Sequence, residues 1–162
     1  MPHRIFINLR ITLLILIACA GLHAQCLSGG LAVIVNKANT TESLSMAQLR
    51  KLILGDVRTW PDKQPVMLVS REQSSDVFKC ILSAIVRMND AEYHRYILST
   101  EFRGGDPLAV RTVNSGVIAA KTIAALGGAM AVVPASELTA LAGTVRVVRV
   151  NGKEPGEAGY PL

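Results

Sequence analysis

The chain has 162 residues and a formal net charge of +5, and half of its residues are hydrophobic. This length corresponds to one domain, with enough apolar residues to build a core. Aromatic residues make up only 4% of the chain and no run of lysines or arginines occurs, which argues against nucleic acid as a partner. The composition therefore predicts a single globular domain with no nucleic-acid partner.

Residues 1–24 have the pattern of a secretory signal peptide. Arg4 and Arg10 form a basic start, an apolar run follows from Ile11 to Ala20, and Ala24 offers a small residue for cleavage. The apolar run is too short for a comfortable membrane span. We therefore expect cleavage near Ala24, which removes two positive charges and no acidic residue.

A lipoprotein signal is the alternative interpretation of this segment. Leu16-Ile17-Ala18-Cys19 has the form of a lipoprotein box, in which Cys19 would be lipidated after cleavage. We favour ordinary cleavage, because residues 19–24 continue the signal-peptide pattern. On either interpretation the protein leaves the cytoplasm for the periplasm or the exterior, and residues 27–162 form its single domain.

Two cysteines, Cys26 and Cys80, remain after this cleavage. An oxidising compartment would permit a disulfide between them. Two unpaired thiols are the alternative, because the sequence does not give the distance between these side chains.

Three elements are predicted before residue 70. The apolar run Leu31–Val35 is typical of a strand that is covered on both faces. Ser45 and Gln48 form a capping box that opens a short helix, and Gly55 lies where a left-handed cap would end it. The run Val66–Val69 predicts a second buried strand.

A long amphipathic helix is predicted after Ser74 and Ser75. Its apolar residues recur at helical spacing: Val77, Cys80, Ile81, Ala84, Ile85 and Met88. Arg71 lies between the preceding strand and this helix, so a guanidinium and the free N–H groups of a helix N-terminus come together. Because both groups stabilise negative charge, the arrangement predicts a binding site for a small anion.

The chain after residue 88 alternates between helices and strands. The predicted elements are a helix capped by Asn89 and Glu92, a helix from Asn114 or Ser115 through Ala125, a buried strand at Met130–Val133, a short helix around Ser136–Leu141 and a more exposed strand at Val145–Val150. The tail Glu154–Leu162 is expected to run over the surface. The alternation predicts an α/β fold with a mostly parallel sheet flanked by helices, which binds ligands at the carboxyl ends of its strands.

Five segments of the predicted domain point in combination to a known family, and the resemblance covers nearly all of the mature chain. They are Leu31–Val35, Ser45–Gly55 with Trp60-Pro61-Asp62, Val69-Ser70-Arg71 with Ser74-Ser75, Phe102–Pro107 and Gly127–Pro134. The chain resembles the phosphate-type periplasmic substrate-binding proteins of ABC transporters, in particular small members with a single lobe. The resemblance implies a periplasmic-binding-protein-like lobe that binds phosphate or a related oxyanion for ABC-type uptake or sensing, with a permease or another envelope protein as partner. It implies that Arg71, Ser74, Ser75 and Asp76 contact the ligand.

Two features depart from the pattern of this family. The full-length proteins close two lobes around the anion, whereas this chain carries about one, so a homodimer or a partner subunit could supply the other wall. The family also follows the arginine with Ser-Gly-Thr, and the matching residues here are Ser75-Asp76-Val77. Asp76 places a carboxylate in the first helical turn, where it stabilises the helix and repels a bound phosphate. The alternative function is therefore an accessory or interaction protein that kept the scaffold and lost the ligand.

The residues of the predicted site have structural alternatives as well. Arg71 could form a salt bridge with Glu72 or Asp76 at the surface. One of Ser74 and Ser75 is expected to be the helix N-cap rather than a ligand donor.

No catalytic, metal or cofactor site is predicted. The domain keeps one histidine and two cysteines, which leaves no metal-ligand spacing, and the motifs of nucleophilic or phosphate-cradling enzymes do not occur. We expect a non-enzymatic protein in which His94 lies on the surface, Trp60 is a packing anchor and Arg103 belongs to a solvated turn.

Overall fold

The fold, given by a computed structural model, is described for residues 27–102 and 108–162. Its strands are β1 Leu31–Val35, β2 Ser43–Leu44, β3 Met67–Arg71, β4 Ala109–Val113, β5 Ala129–Pro134 and β6 Arg146–Val150. Its helices are α1 Met46–Leu54, α2 Asp76–Ile81, α3 Asp90–Phe102, α4 Gly116–Ala125 and α5 Leu138–Leu141, with a π-helical turn at Leu82–Val86 and a 3₁₀ turn at Ala135–Glu137. The predicted signal peptide, Cys19, Cys26 and the Arg103–Pro107 turn lie outside the described residues.

The six strands form one sheet in the order β2-β6-β1-β5-β3-β4. The pairs β2–β6, β3–β5 and β3–β4 are parallel, whereas β1 is antiparallel to both β5 and β6. The predicted α/β class with a mostly parallel sheet is therefore confirmed. β1 lies inside the sheet, and its residues are all buried, as its unbroken apolar run predicts.

Helices cover both faces of the sheet, and the alternation of side chains along the strands divides the core in two. Val33 and Met130 face the cluster that includes residues of α1 and α2. Ile34 and Ala131 face the other cluster, which includes Ala119 of α4. Small residues on both sides of this second interface let α4 pack closely on the sheet.

The capping residues predicted at the helix starts are confirmed. Ser45 and Gln48 form both hydrogen bonds of a capping box at α1, and Gly55 ends that helix with a φ of 77°. Asn89 Oδ1 accepts a hydrogen bond from Glu92 N at 2.9 Å, and Glu92 Oε2 accepts one from Asn89 N at 2.8 Å. These bonds satisfy N–H groups that a helix leaves without intrahelical partners.

Three strands differ from the sequence prediction. β2 is absent from it, because two residues are too few to form a recognisable strand pattern. β4 is absent from the sequence prediction because four of its five residues are exposed, so it lacks an apolar pattern. β6 lies inside the sheet, although its sequence suggests a more exposed strand. Val148 and Val150 are buried there, whereas Val147 and Arg149 are exposed, so only one face of β6 is covered.

The C-terminal tail also differs from its prediction. Leu162 is buried in the core cluster that faces α1 and α2, and Tyr160 packs against that cluster. The tail therefore contributes to the core instead of running only over the surface. Within residues 27–102 and 108–162, no helix is both long and apolar enough to cross a membrane.

Candidate functional site

Arg71 is the last residue of β3 and lies at the carboxyl edge of the parallel strands. β3 continues through Ser70 and Arg71, two residues beyond the apolar run that predicts it. Arg71 is in register with Val113, the last residue of the parallel strand β4, and β5 runs parallel on the other side of β3. Three strand ends therefore meet at Arg71, where ligands of α/β sheets bind.

The chain turns from Arg71 directly into α2, and Ser75 is the N-cap of this helix. Ser75 Oγ accepts a hydrogen bond from Phe78 N at 3.2 Å and donates one to Glu72 O at 2.6 Å. The expectation that one of the two serines is the cap is confirmed for Ser75. The Ser75 hydroxyl already donates its proton to the backbone. The hydroxyl of Ser74, which is exposed, is therefore better placed to contact a ligand.

Asp76 begins α2 with its carboxylate in solvent. Its side chain is 87% exposed, and Oδ1 lies 3.7 Å from Lys79 Nζ. A carboxylate in the first turn stabilises a helix through the positive end of the dipole. Asp76 therefore pairs along its own helix and adds negative charge beside the N-terminus of α2.

Arg71 forms its ion pair with Glu137, a residue that the sequence analysis does not place at this site. Arg71 Nη1 lies 3.6 Å from Glu137 Oε1, and the two side chains are 16% and 32% exposed. The partner is thus Glu137 in place of the expected Glu72 or Asp76. Glu137 ends the 3₁₀ turn after β5, and β5 is the neighbour of β3, so the strand order brings the two residues together.

The Glu137 carboxylate also lies against the N-terminus of α4. A Cβ atom placed on Gly116, the first residue of α4, would lie 1.7 Å from Glu137 Oε2. Ser115 is the N-cap, and its Oγ accepts a hydrogen bond from Ile118 N at 3.3 Å. Free N–H groups and the positive dipole end favour an anion at such a position. Two positive features, the guanidinium and this helix terminus, therefore face one carboxylate.

Two atoms of the Arg71–Glu137 pair are buried without a hydrogen bond in the described part of the chain. These atoms are Arg71 Nη1 and Glu137 Oε2. The 3.6 Å separation of Nη1 from Oε1 is too long for a hydrogen bond. Because buried charged groups without hydrogen bonds cost free energy, the pair is incompletely satisfied.

Trp60 and His94 have the structural roles predicted for them. Trp60 is 4% exposed, and its Nε1 donates a hydrogen bond to Gly128 O at 2.9 Å. The side chain of His94 is 51% exposed and lies 3.8 Å from Asp90. The described ranges contain no group of three or more histidine, cysteine, aspartate or glutamate residues that could hold a metal ion.

Cys80 is buried in α2 and is disulfide-bonded. The other cysteines of the chain, Cys19 and Cys26, lie outside the described residues. Since the predicted cleavage removes Cys19, we propose Cys26 as the partner of Cys80.

Solved structures with a similar fold include a phosphate transport receptor and phosphate-binding proteins. An ABC-type phosphate transport receptor from Vibrio cholerae matches with a TM-score of 0.62 and 22% identity, over 78% of this chain and 48% of the receptor. PstS from Borrelia burgdorferi matches with a TM-score of 0.63 and 12% identity, over 77% of this chain and 48% of that protein. A phosphate-binding protein from Stenotrophomonas maltophilia matches with a TM-score of 0.59 and 15% identity, over 79% of this chain and 40% of that protein. No family model matches the sequence, and no curated protein matches it.

These matches confirm the resemblance at the level of the fold. The identities are low, so the likeness is one of architecture. The chain spans about half the length of these solved structures or less, which corresponds to a single lobe. The predicted periplasmic-binding-protein-like lobe is therefore the fold of this chain.

Proposed function

We propose that the protein is a periplasmic solute-binding protein whose ligand is a small oxyanion, with phosphate as the first candidate. The observation that carries this proposal is the position of Arg71 at the end of β3, beside the starts of α2 and α4. The planar fork of a guanidinium matches the oxygens of an oxyanion, and helix N-termini add N–H donors. The phosphate-binding proteins of the same fold support this ligand class.

The proposed donors are the Arg71 guanidinium, the Ser74 hydroxyl and the first-turn N–H groups of α2 and α4. Ser75 acts mainly by fixing the start of that helix, because its hydroxyl is bound to the backbone. The exposed Asp76 would repel a fully ionised anion and would accept a hydrogen bond from a protonated one. Asp76 therefore favours protonated oxyanions over those that carry no proton.

An open groove beside the site carries further positive charge. Arg111 of β4 and Lys121 of α4 line this groove together with Glu72, which follows Arg71. Fixed positive charge raises the local concentration of anions and the rate at which they arrive. The groove is thus suited to the approach of an anion from solvent.

The transport role belongs to the same proposal. Cleavage after Ala24 would release the domain into the periplasm, where it would deliver its ligand to an ABC transporter permease or act in sensing. A second copy of the chain would supply the wall that the other lobe supplies in two-lobe proteins. N-terminal sequencing of the exported protein tests the cleavage, because lipidation at Cys19 would leave Cys19 as the first residue. Gel filtration tests the homodimer, which a monomer at high concentration would contradict.

Calorimetric titration of the exported protein with phosphate and sulfate, in a buffer free of both, tests the ligand. We expect heat on addition of phosphate to the wild type and at least about tenfold weaker binding by Arg71→Ala, since a charged hydrogen-bonding partner is removed. Arg149→Ala is the matched control. Arg149 forms an Arg–Glu pair with Glu42 at 3.2 Å, and it lies in β6, near the opposite edge of the sheet from β3. Absence of heat at millimolar phosphate, or equal binding by Arg71→Ala, would contradict the proposal.

A second candidate function is that of an accessory protein that kept this lobe and lost its ligand. The observation that favours it is the ion pair between Arg71 and Glu137, which already gives the guanidinium a carboxylate partner. The same titration separates the two candidates, because an accessory protein would give no heat with any oxyanion.

A further inference from the structure

We infer that Glu137 is an internal competitor for the anion site, and that its carboxylate takes the place that a bound oxyanion would occupy. This inference rests on the proposed function and adds a residue that sets the affinity of the site. The carboxylate is a singly charged anion with two oxygens, so it can use the same donors as a small oxyanion.

The Glu137 carboxylate lies between the two positive features of the site, the Arg71 guanidinium and the start of α4. Oε1 faces the Arg71 guanidinium at 3.6 Å, and Oε2 lies against the first residue of α4. No other carboxylate is paired with Arg71 among the residues that the structure describes. A ligand that binds Arg71 and the start of α4 must therefore displace this side chain.

Gly116 leaves space for the Glu137 carboxylate at the start of α4. Its φ is not in the left-handed region, so the backbone conformation does not require glycine. Glycine at the start of a helix costs conformational entropy relative to alanine. Space is the remaining reason for it, because any Cβ at this position would meet Glu137 Oε2.

A bound anion could replace Glu137 as the partner of Arg71. Arg71 Nη1 and Glu137 Oε2 are buried and form no hydrogen bond with any residue that the structure describes, so the internal contact leaves a donor and an acceptor unused. The Glu137 side chain is 32% exposed and extends from a short turn, which gives it a route to solvent. An anion with more oxygens could satisfy Arg71 more completely than this carboxylate does.

With an internal competitor, the apparent dissociation constant equals the intrinsic dissociation constant divided by the fraction of time that the site is free. Glu137→Ala removes the carboxylate and empties its place, and we expect the dissociation constant for phosphate to fall about tenfold. Glu137→Gln removes the charge but keeps the volume, so its gain should be smaller. Gly116→Ala in the Glu137→Ala background places a methyl group in the vacated position and should reverse the gain.

The test is calorimetric titration of these variants with inorganic phosphate, alongside Glu42→Ala as the matched control. Glu42 forms an exposed pair with Arg149, so its substitution removes the same charge away from the site. Circular dichroism and urea unfolding show that each variant is folded. Tighter binding by Glu137→Ala, a smaller gain for Glu137→Gln and no gain for Glu42→Ala support the inference.

The contrary results separate this inference from the proposed function. If the wild type binds phosphate and Glu137→Ala binds it equally or more weakly, the internal competitor is refuted and the binding function stands. An equal gain in Glu42→Ala refutes the competitor as well, because the effect would then be one of net charge. If neither the wild type nor Glu137→Ala binds phosphate, the binding function and the inference both fail.

Discussion

Asn36 connects the end of β1 to the end of α4, and its substitution should destabilise the protein strongly. Its side chain is buried, and Nδ2 donates hydrogen bonds to Ile123 O at 2.7 Å and Ala124 O at 3.1 Å. Its Oδ1 accepts a third bond, from Ala38 N at 2.8 Å. The amide thus gives a partner to Ala124 O, one of the last carbonyls of α4, and adds a second bond to Ile123 O, which also accepts one from Leu126 N at 3.2 Å.

Asn36→Ala removes all three hydrogen bonds. A typical intramolecular bond contributes about 0.5–1.5 kcal/mol net, and buried groups left without partners cost more, so the free energy of unfolding should fall by roughly 2–4 kcal/mol. Asn39→Ala is the matched control. Asn39 is buried as well, 2% exposed against 9% for Asn36, but its Oδ1 accepts one bond from Thr41 N at 2.9 Å and its Nδ2 has no hydrogen-bond partner among the described residues. We expect a loss of about 1 kcal/mol or less for this control.

Urea unfolding measures both values, with Trp60 as the reporter. Trp60 is the only tryptophan of the chain and is buried, so its emission should shift to longer wavelength on unfolding. Asn36→Asp should be at least as harmful as Asn36→Ala, because a carboxylate cannot donate to the carbonyls and lies at the negative end of the helix dipole. If Asn36→Ala costs no more than Asn39→Ala, the assignment of Asn36 as a connection between β1 and α4 is refuted.

Three further predictions concern single side chains of the core and its disulfide. Trp60→Phe removes the hydrogen bond to Gly128 O and should lower the free energy of unfolding by about 1–3 kcal/mol in urea followed by circular dichroism; an unchanged midpoint would contradict this. Within the described part of the chain, Tyr160 has a buried hydroxyl without a hydrogen-bond partner, and burial raises the pKa of this phenol. The phenol therefore loses its proton at a lower pH in the unfolded chain than in the folded chain, so the free energy of unfolding falls as the pH rises above about 10. Tyr160→Phe should reduce this fall and leave the free energy of unfolding at neutral pH unchanged. A loss of stability at neutral pH would show instead that the hydroxyl is needed for packing. Peptide mapping without reduction should recover a Cys26–Cys80 disulfide, whose reduction should cost about 2–4 kcal/mol, whereas free Cys26 would contradict the pairing.

Local signals in the sequence are sufficient to predict where the helices start and that Arg71 lies at a strand end. A cap such as Ser45 with Gln48 acts over three residues, so the residues that form it can be read directly. Arg71 likewise stands between an apolar strand and an amphipathic helix, and this adjacency alone puts it at a strand end. β4 is not predicted, because it is an exposed edge strand and lacks the apolar pattern on which strand prediction depends.

The contact between Arg71 and Glu137 depends on strand order, which no local pattern contains. Glu137 reaches the site because β5 lies beside β3, and the 65 residues between Arg71 and Glu137 carry no signal of that pairing. The antiparallel direction of β1 is hidden for the same reason, since a strand buried on both faces has the same sequence pattern in either direction. A carboxylate shortly after a buried strand is the signal that could have identified Glu137 as a candidate.

The position of β1 between β5 and β6 governs the order in which this chain can fold. Both neighbours of β1 come from the last third of the sequence, so pairing must close loops of about a hundred residues before the centre of the sheet exists. A chain made from its N-terminus carries this apolar strand unpaired until residue 134 completes β5, and leaves its other edge unpaired until residue 150 completes β6. Assembly of the centre of the sheet is therefore expected to begin only after β5 has been synthesised, and to be slow in comparison with the folding of helical domains of this size.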